Sequence, residues 1–526
     1  MYSFIAHDRS QKEFTIEPHL VIERIDISSL MHGDTFDIIN NKCVIVSSLN
    51  TDGICGILKM DKKIAKQKNK TLYKCIPDNN LLPIVLIPIK DENNFNKHMV
   101  NRYVLFKYIN NDLGQLTATI GPVNNIENFN NYQLNCKKLK ISNKKFTAKI
   151  LKINHEIGNH TIDNAITIDS STTQDYDDAI SYNNNCISIH ISNVPLYMEK
   201  YNLWSDINRV STIYLPNEKH SMLPNMLTDS TLSLRENLIR EVFSMNINFN
   251  GNIISEINFS KDIIKIKKNH VYESRVLLNN PIYISIMDKI PILIEQYPYC
   301  RVHDSYSLIE YLMIFMNAHS ALKLKSFNVG IYRSLTLESN VESYIDDPIL
   351  RKFVSYWRNS KSEYTIASNH EHQLLHLSDY VHITSPIRRL VDIVNMMMLQ
   401  HVTGIHTFSS NAIQFYDHHT NNLTYINDTV KSIKRVQNNC EILKQYYDAN
   451  DDLDGMHDVT FHNYDAFVIE VKLNNEYVIL LNNSKYIGKL FTEKKLILYD
   501  KIKVQIFIFT DKSTISQKIQ ITLSNV

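Results

Sequence analysis

The sequence predicts a multidomain α+β protein with small β-barrels at both ends and a mixed α/β domain between them. Three observations carry this. The chain has 526 residues, too many for one core when domains average roughly 150. Its first 150 residues and about its last seventy read as short strands separated by polar turns, the texture of small barrels. Between them, strand-like alternation gives way to long segments with helical apolar spacing.

Taken in order, the N-terminal strands are KCVIVSSL at 42–49, LPIVLIPI at 82–89, RYVLFKYI at 102–109 and LTATIGPV at 116–123. KMDKKIAKQKNK, at 59–70, reads as a solvated loop, with contact to an RNA backbone as the alternative. AITI at 165–168 and DAISY at 178–182 read as strands bracketing an acidic loop; after Asn183, Asn184 and Asn185 turn the chain, ISIHIS at 187–192 alternates strictly. Helices are expected at 306–325, around 386–401 and at 425–446. Strands return with AFVIEVKL from 466, EYVILLNN from 476, KIKVQIFIF from 501 and KIQITL from 518, which fits a five-stranded barrel.

Composition narrows the function classes. Lys+Arg number 56 and Asp+Glu 55, for a net charge of +1, so a polyanion would need a local patch rather than a global field. Seven cysteines without a C-x-x-C pair favour a reducing compartment over disulfides or structural zinc. The longest apolar runs, such as PIVLIPI at 83–89, are too short to span a bilayer, and no secretory leader pattern is present. The expectation is a soluble intracellular protein, the cytoplasm first, with an organelle or the nucleus open. Abundant Asn and Lys fit an AT-rich genome and carry little functional weight.

The stretch IDSSTTQDYDDAI, 168–180, holds Asp169, Asp175, Asp177 and Asp178. If the flanking strands pair, the loop is pinned at both ends. Asp177 and Asp178 are adjacent, so they converge only where a strand starts or bulges. Crowded carboxylates repel and raise one another's pKa. No Lys or Arg lies between 153 and 199, so a divalent cation is the simplest remedy. Oxygen donors indicate Mg²⁺, with Mn²⁺ as the alternative, and point away from zinc. A calcium loop fails on spacing, and NDDLDG at 450–455 is an imperfect mimic read as a solvated turn. A carboxylate-held cation without a phosphate-cradling glycine loop suggests phosphodiester chemistry, in which two ions about 4 Å apart can activate water and stabilise the leaving oxygen.

Such a site needs a positioned arginine. In YVHITSPIRRLVDIV, 380–394, Ser385 reads as an N-cap and Pro386 as the first helical residue. Arg388, Asp392 and Asn395 then share a polar face, with Asp392 one turn beyond Arg388 and able to hold its guanidinium. Arg388 would also sit at the positive end of the helix dipole, which favours phosphate.

AITIDSSTTQDYDDAIS resembles the T-I-D-x(5)-D-x-D-D-A signature of the RNB family of 3′-to-5′ exoribonucleases. The resemblance continues in family order through IYLPNEKHSMLPNMLTDSTLSLRENLIR at 213–240, LIEYLMIFMNAH at 308–319, IYRS at 331–334 and HQLLHLSDYVHITSPIRRLVD at 372–392. It covers roughly 160–405, with barrel-like ends as in that family. It implies N-terminal cold-shock-type OB barrels, a central RNB catalytic domain and a C-terminal OB-type RNA-binding barrel. The corresponding segments are a tail at 1–25, a truncated cold-shock-like barrel at 26–75, a second at 76–155, the catalytic domain at 160–455 and the last barrel at 456–526.

For the site, the resemblance implies that Asp169, Asp175, Asp177 and Asp178 bind metal, with Asp177 closest to the chemistry. Tyr214 would stack on a base near the 3′ end, Arg388 would grip the scissile phosphate, and Arg333 would contact RNA. By helix spacing rather than resemblance, Glu310 and Asn317, seven residues apart on one face, and Asp392 read as supporting residues. The implied reaction is hydrolysis of single-stranded RNA to nucleoside 5′-monophosphates, by a monomer with no membrane role. With about 25 residues before the first expected barrel segment, no exosome-docking domain is expected.

The sequence departs from the family pattern in three places. Ile191, Ser192, Asn193 and Val194 stand where I-A-D-V is usual, Tyr311 follows Glu310 where two acids are usual, and Glu371 to Leu377 read E-H-Q-L-L-H-L where G-H-F-G-L-A-L is frequent. These departures keep a second reading open, a catalytically impaired RNA-binding or scaffold protein. A DNA-directed nuclease is a third. The pairs His370/His372 and His418/His419 lack a further ligand for zinc. The lysines from Lys137 to Lys145, and Lys431, Lys434 and Arg435, read as solvated surface or an RNA path, and Trp204 and Trp357 as core.

Overall fold

The computed structural model describes residues 1–19, 27, 29–40, 42–67, 70–90, 100–110, 112–158, 162–336, 347, 350–351, 354, 361–366, 372–451, 459–472, 475–482, 487–509 and 519–524. Trp357, His370 and most of NDDLDG lie outside the described residues. The chain divides into two compact units, Met1–Lys140 with Arg435–Val526, and Ile141–Lys434.

The first unit opens with β1 (Tyr2–Ala6), β2 (Phe14–Glu17), β3 (Thr35–Ile39) and β4 (Lys42–Ser47), an antiparallel sheet in the order β2-β1-β3-β4. Residues expected as a tail are thus strands: Phe4, Ala6 and Ile16 bury their apolar face with Leu30 and Phe36. The next sheet contains β5 (Ile54–Gln67), β6 (Lys70–Pro77), β7 (Val85–Lys90), β8 (Arg102–Tyr108) and β9 (Gly114–Pro122), ordered β7-β6-β5-β8-β9. A lone bridge between Leu86 and Leu113 draws its edges together. The expected boundary at 75/76 cuts through β6 and must be moved to the segment between β4 and β5. The lysine run is likewise strand rather than loop, because β5 pairs with β6 from Gly56–Pro77 to Gln67–Lys70; strand pairing tolerates charged side chains on a solvated face.

In the second unit, β10 (Ile162–Asp169), β11 (Asp178–Asn183), β12 (Cys186–Ser192), β15 (Ile239–Asn250) and β16 (Ile253–Val271) form a closed barrel, while β13 (Ile213–Leu215) and β14 (Glu218–His220) make a separate hairpin. β17 (Tyr332–Thr336) pairs with β18 (Lys361–Thr365). The alternation in β12 buries both of its faces. Ile187, Ile189 and Ile191 join the main core, and on the other face buried His190 bridges Ser181 and Ser244, 2.8 Å from each hydroxyl. This unit begins at Ile141 rather than near 160, since Phe146 and Ile150, on the helix Lys144–Ile150, pack into the same core.

Two helices contribute heavily to that core. The helix Ser305–Ser326 starts on a capping box between Asp304 and Ser307 and ends with Lys323 and Lys325, which suit the negative end of its dipole. The helix Leu390–Val402 is buried nearly all round, including Asp392, Asn395 and Gln400, so the polar residues expected to share a face are internal. The C-terminal strands β19 (Val459–Val471), β20 (Glu476–Leu481), β21 (Ile487–Phe491), β22 (Lys501–Phe509) and β23 (Ile519–Leu523) close a barrel ordered β19-β20-β21-β23-β22, as the strand spacing predicts. All seven cysteines are free. Among the described residues no helix is long and apolar enough to cross a membrane.

Candidate active site

Antiparallel pairing of Ile166 with Ile180 pins both ends of the acidic loop. Asp169 ends β10, and Asp178 begins β11, which is the strand-start geometry that two adjacent acids require. Asp177 lies just before the strand, and its carbonyl accepts from the Ser192 amide at 2.9 Å. Its carboxylate is buried and doubly held: Oδ1 accepts from the Ile387 amide at 2.8 Å, and Oδ2 lies 3.2 Å from Arg388 Nε.

Arg388 is therefore on the acidic loop, but not through the helix expected for it. The helix begins only at Leu390, and before it residues 386–388 form a turn and Arg389 is extended, bridged to Ser211. The reason is a set of contacts to the segment leading into β13. Thr212 donates its amide to the Arg388 carbonyl at 2.9 Å, and Leu390 donates to the Val210 carbonyl at 3.0 Å. Asp392 does not hold Arg388. It is fully buried and pairs with Arg389 Nη2 at 2.9 Å, while also accepting the Ser385 amide at 2.7 Å. Arg388 instead donates from Nη2 to Ser385 Oγ at 2.9 Å. The Ile387 amide, which a helix start would have turned toward a phosphate, is engaged by Asp177.

The β13–β14 hairpin places Tyr214 opposite Lys219. Cross-strand neighbours share one face of a hairpin, and both side chains reach Asp175: the tyrosine hydroxyl donates to Oδ2 at 3.3 Å, and Lys219 Nζ lies 2.9 Å from Oδ1. Tyr214 is nevertheless 43% exposed.

These groups line one cavity of about 960 Å³, together with Glu310 and Asn317 from the helix Ser305–Ser326. Asn317 is a supporting residue in a literal sense. Its amide nitrogen donates to Tyr380 Oη at 2.9 Å, and its oxygen accepts from Ile383 N at 3.0 Å. Two expected residues do not line the cavity. Arg333 stacks on Tyr364, 4.7 Å from the ring centroid, and bonds to Ser362; Asp392 lies beneath the turn that carries Arg388. At the departure from the family pattern, Asn193 caps the helix Val194–Lys200 and exchanges hydrogen bonds with Gln400 at 3.0 and 3.1 Å.

Burial raises the carboxyls of Asp169, Asp177 and Asp178 to about 7 each; Asp177 and Asp169 respectively add to the shift of Asp169 and Asp178, and Arg388 opposes it at all three. Asp169 Oδ2 is buried with no hydrogen-bond partner. Oxygen donors in this state suit a hard divalent cation. No three acids, histidines or cysteines are gathered as a metal cage among the described residues, since Asp175 and Asp177 face protein cations. The raised values fix a sign. Against an ordinary 3.8, the folded form binds extra protons up to about pH 7, so in EDTA stability falls as pH rises through that window. Mg²⁺ favours the ionised acids, so it should raise the thermal midpoint by several degrees at about pH 8 and little at about pH 5. Equal Mg²⁺ effects at both pH values would contradict this.

Sequence reasoning missed Lys219, Arg389 and the Ile387 amide. The lysine's signal was present, as a cation five positions after Tyr214 in a two-strand pattern, but it lies beyond the cation-free stretch 153–199 in which neutralising charge was sought. Residues 159–280 match the RNB domain family. Ribonuclease R of Chlamydia pneumoniae is 23% identical over 377 residues, covering 57% of this chain and 54% of the relative, so the chain spans about half the length of the curated relatives it matches. Exoribonuclease 2 of Serratia proteamaculans is 34% identical over 119 residues, covering 21% of this chain and 18% of its own. In fold, the apo form of ribonuclease R from Mycoplasma genitalium matches with a TM-score of 0.73 at 15% identity over 100% of both chains. Yeast Ssd1, a pseudonuclease, matches at 0.61 and 14% identity, over 93% of this chain and 72% of the other.

Proposed function

We propose, from the match of residues 159–280 to the RNB domain family and the ribonuclease R-like fold, a 3′-to-5′ exoribonuclease that hydrolyses single-stranded RNA to nucleoside 5′-monophosphates. The observation that carries this reading is the meeting of the four acids with Arg388 and an exposed Tyr214 in one polar cavity. Relatives named ribonuclease R and exoribonuclease 2 support it.

Each side chain has a role it can perform from where it stands. The Tyr214 ring offers a surface for the 3′-terminal base, and such stacking contributes about 1–3 kcal/mol without regard to sequence. Arg388, 44% exposed at its side chain, has guanidinium donors beyond those on Asp177 and Ser385 for the scissile phosphate. The same contacts hold Asp177 in one orientation. Asp169 and Asp178 would hold Mg²⁺ or Mn²⁺, which when bound supplies activation of water and stabilisation of the leaving oxygen. Asn317 and its partners keep the cavity wall in place.

The test is 5′-labelled single-stranded RNA with Mg²⁺. The expected result is shortening from the 3′ end with mononucleotide product, and none from an all-deoxy strand, since the 2′-hydroxyl distinguishes the two. A second reading, an RNA-binding protein without turnover, is favoured by one observation: Arg388 and Lys219 already neutralise two of the acids. Tight RNA binding with no metal-dependent product would establish it in place of the first.

A further inference from the structure

We propose that Lys219 is the built-in counter-cation of Asp175, so that Asp175 positions the Tyr214 hairpin while a divalent cation is held by Asp169 and Asp178 without it. This rests on the nuclease reading and departs from the role that resemblance assigns to Asp175.

Three observations carry it. Both oxygens of Asp175 are engaged by the hairpin, Oδ1 by Lys219 Nζ at 2.9 Å and Oδ2 by the Tyr214 hydroxyl at 3.3 Å. The pair is shielded from water, with side chains 13% and 3% exposed, so it is not a fleeting surface contact of the kind that salt dissolves. Tyr214 and Lys219 are directly opposite each other in the hairpin, so a single carboxylate clamps both strands and fixes the plane on which a base would stack.

The charge balance points the same way. Arg388 neutralises Asp177 as Lys219 neutralises Asp175. The two negative charges left belong to Asp169 and Asp178, the number one divalent cation cancels. Lys219 has a second carboxylate, Asp229, at 3.8 Å, so its ammonium stands between two acids beside the cavity. A cation approaching Asp175 would have to displace that ammonium, and like charges within about 4–6 Å shift such equilibria by one to three powers of ten. Lys219 is thus a positioning residue for the hairpin and a restraint on metal occupancy, and it touches no reacting atom.

The experiment is a Mn²⁺ titration followed by electron paramagnetic resonance, on the full chain without RNA. The expected wild-type result is one bound Mn²⁺. Lys219→Met should bind Mn²⁺ about tenfold more tightly or take up a second ion, because Asp175 becomes available and the repelling charge is gone. Lys219→Arg should behave as wild type. The double variant Asp175→Asn/Lys219→Met removes both charges and should keep wild-type Mn²⁺ affinity within about threefold, whereas Asp169→Asn should lose about tenfold or more. A folded double variant that loses Mn²⁺ as strongly as Asp169→Asn overturns the proposal. So does Lys219→Met with unchanged number and affinity, which decides the matter if the double variant does not fold. Either failure leaves the nuclease reading standing if the wild type shortens RNA; an inactive wild type overturns that reading instead.

Discussion

Asp177→Asn is expected to lower the rate of RNA shortening by about 10³-fold or more while RNA binding persists, as a preorganised charge at a reacting centre is worth that much when removed. The asparagine can still accept the Ile387 amide through its oxygen, so the chain path at 2.8 Å survives. Its amide nitrogen, however, meets Arg388 Nε, and two donors face each other in place of a 3.2 Å ion pair. Arg388 is released toward the cavity, where it can still contact phosphate. Loss of turnover with binding intact therefore separates Asp177 from residues that only anchor substrate. Single-turnover rates and filter binding on the same preparation make the comparison. A variant that keeps more than about a tenth of the wild-type rate would remove Asp177 from the centre of the chemistry.

The second large effect is on stability. Arg389→Ala should cost about 3–5 kcal/mol, because it leaves one member of a buried ion pair without its partner. Asp392 is fully buried and already has one oxygen without a hydrogen-bond partner. Burial raises its carboxyl, against the pull of Arg389. Without the guanidinium it must be buried charged or take up a proton, and the protonated form is a weaker acceptor for the Ser385 amide at 2.7 Å. That bond shapes the turn carrying Arg388, so activity should fall along with stability. Urea denaturation checks the first effect. The double replacement Arg389→Met/Asp392→Leu should recover much of the loss, since an apolar pair can replace a buried ionic one; equal loss in the single and double variants would show that the pair itself is not the cause.

The distribution of what could be read from sequence follows the range of each interaction. Ile162–Asp169 and Asp178–Asn183 were foreseeable as strands because their alternation is local, and their pairing follows from a loop too short to let them part. The closed C-terminal barrel was likewise foreseeable from strand spacing. The N-terminal tail was misjudged since Tyr2–Ala6 and Phe14–Glu17 are strands of five and four residues, too short for periodicity to declare. The lysine run was misjudged because charge outweighed the strand pattern beneath it. At the site, the acids and Arg388 were recognisable by residue type and motif, but Asp392 was assigned to the wrong arginine. Helical spacing favoured Arg388; the chain enters its helix only at Leu390, because Thr212 and Val210 take backbone bonds from the turn before it.

By itself the sequence determined the C-terminal barrel, the placement of four acids between two paired strands, and the presence of an arginine and an aromatic suited to phosphate and base. All of these follow from side-chain periodicity or residue chemistry over a few positions. Only the tertiary structure decided which cation meets which acid. Lys219 reaches Asp175 across 44 positions and Arg388 reaches Asp177 across 211, and no local pattern encodes a partner at that distance. Charge pairing is settled by where the barrel, the hairpin and the turn before Leu390 bring the groups together, and by burial that makes an unpaired carboxylate costly.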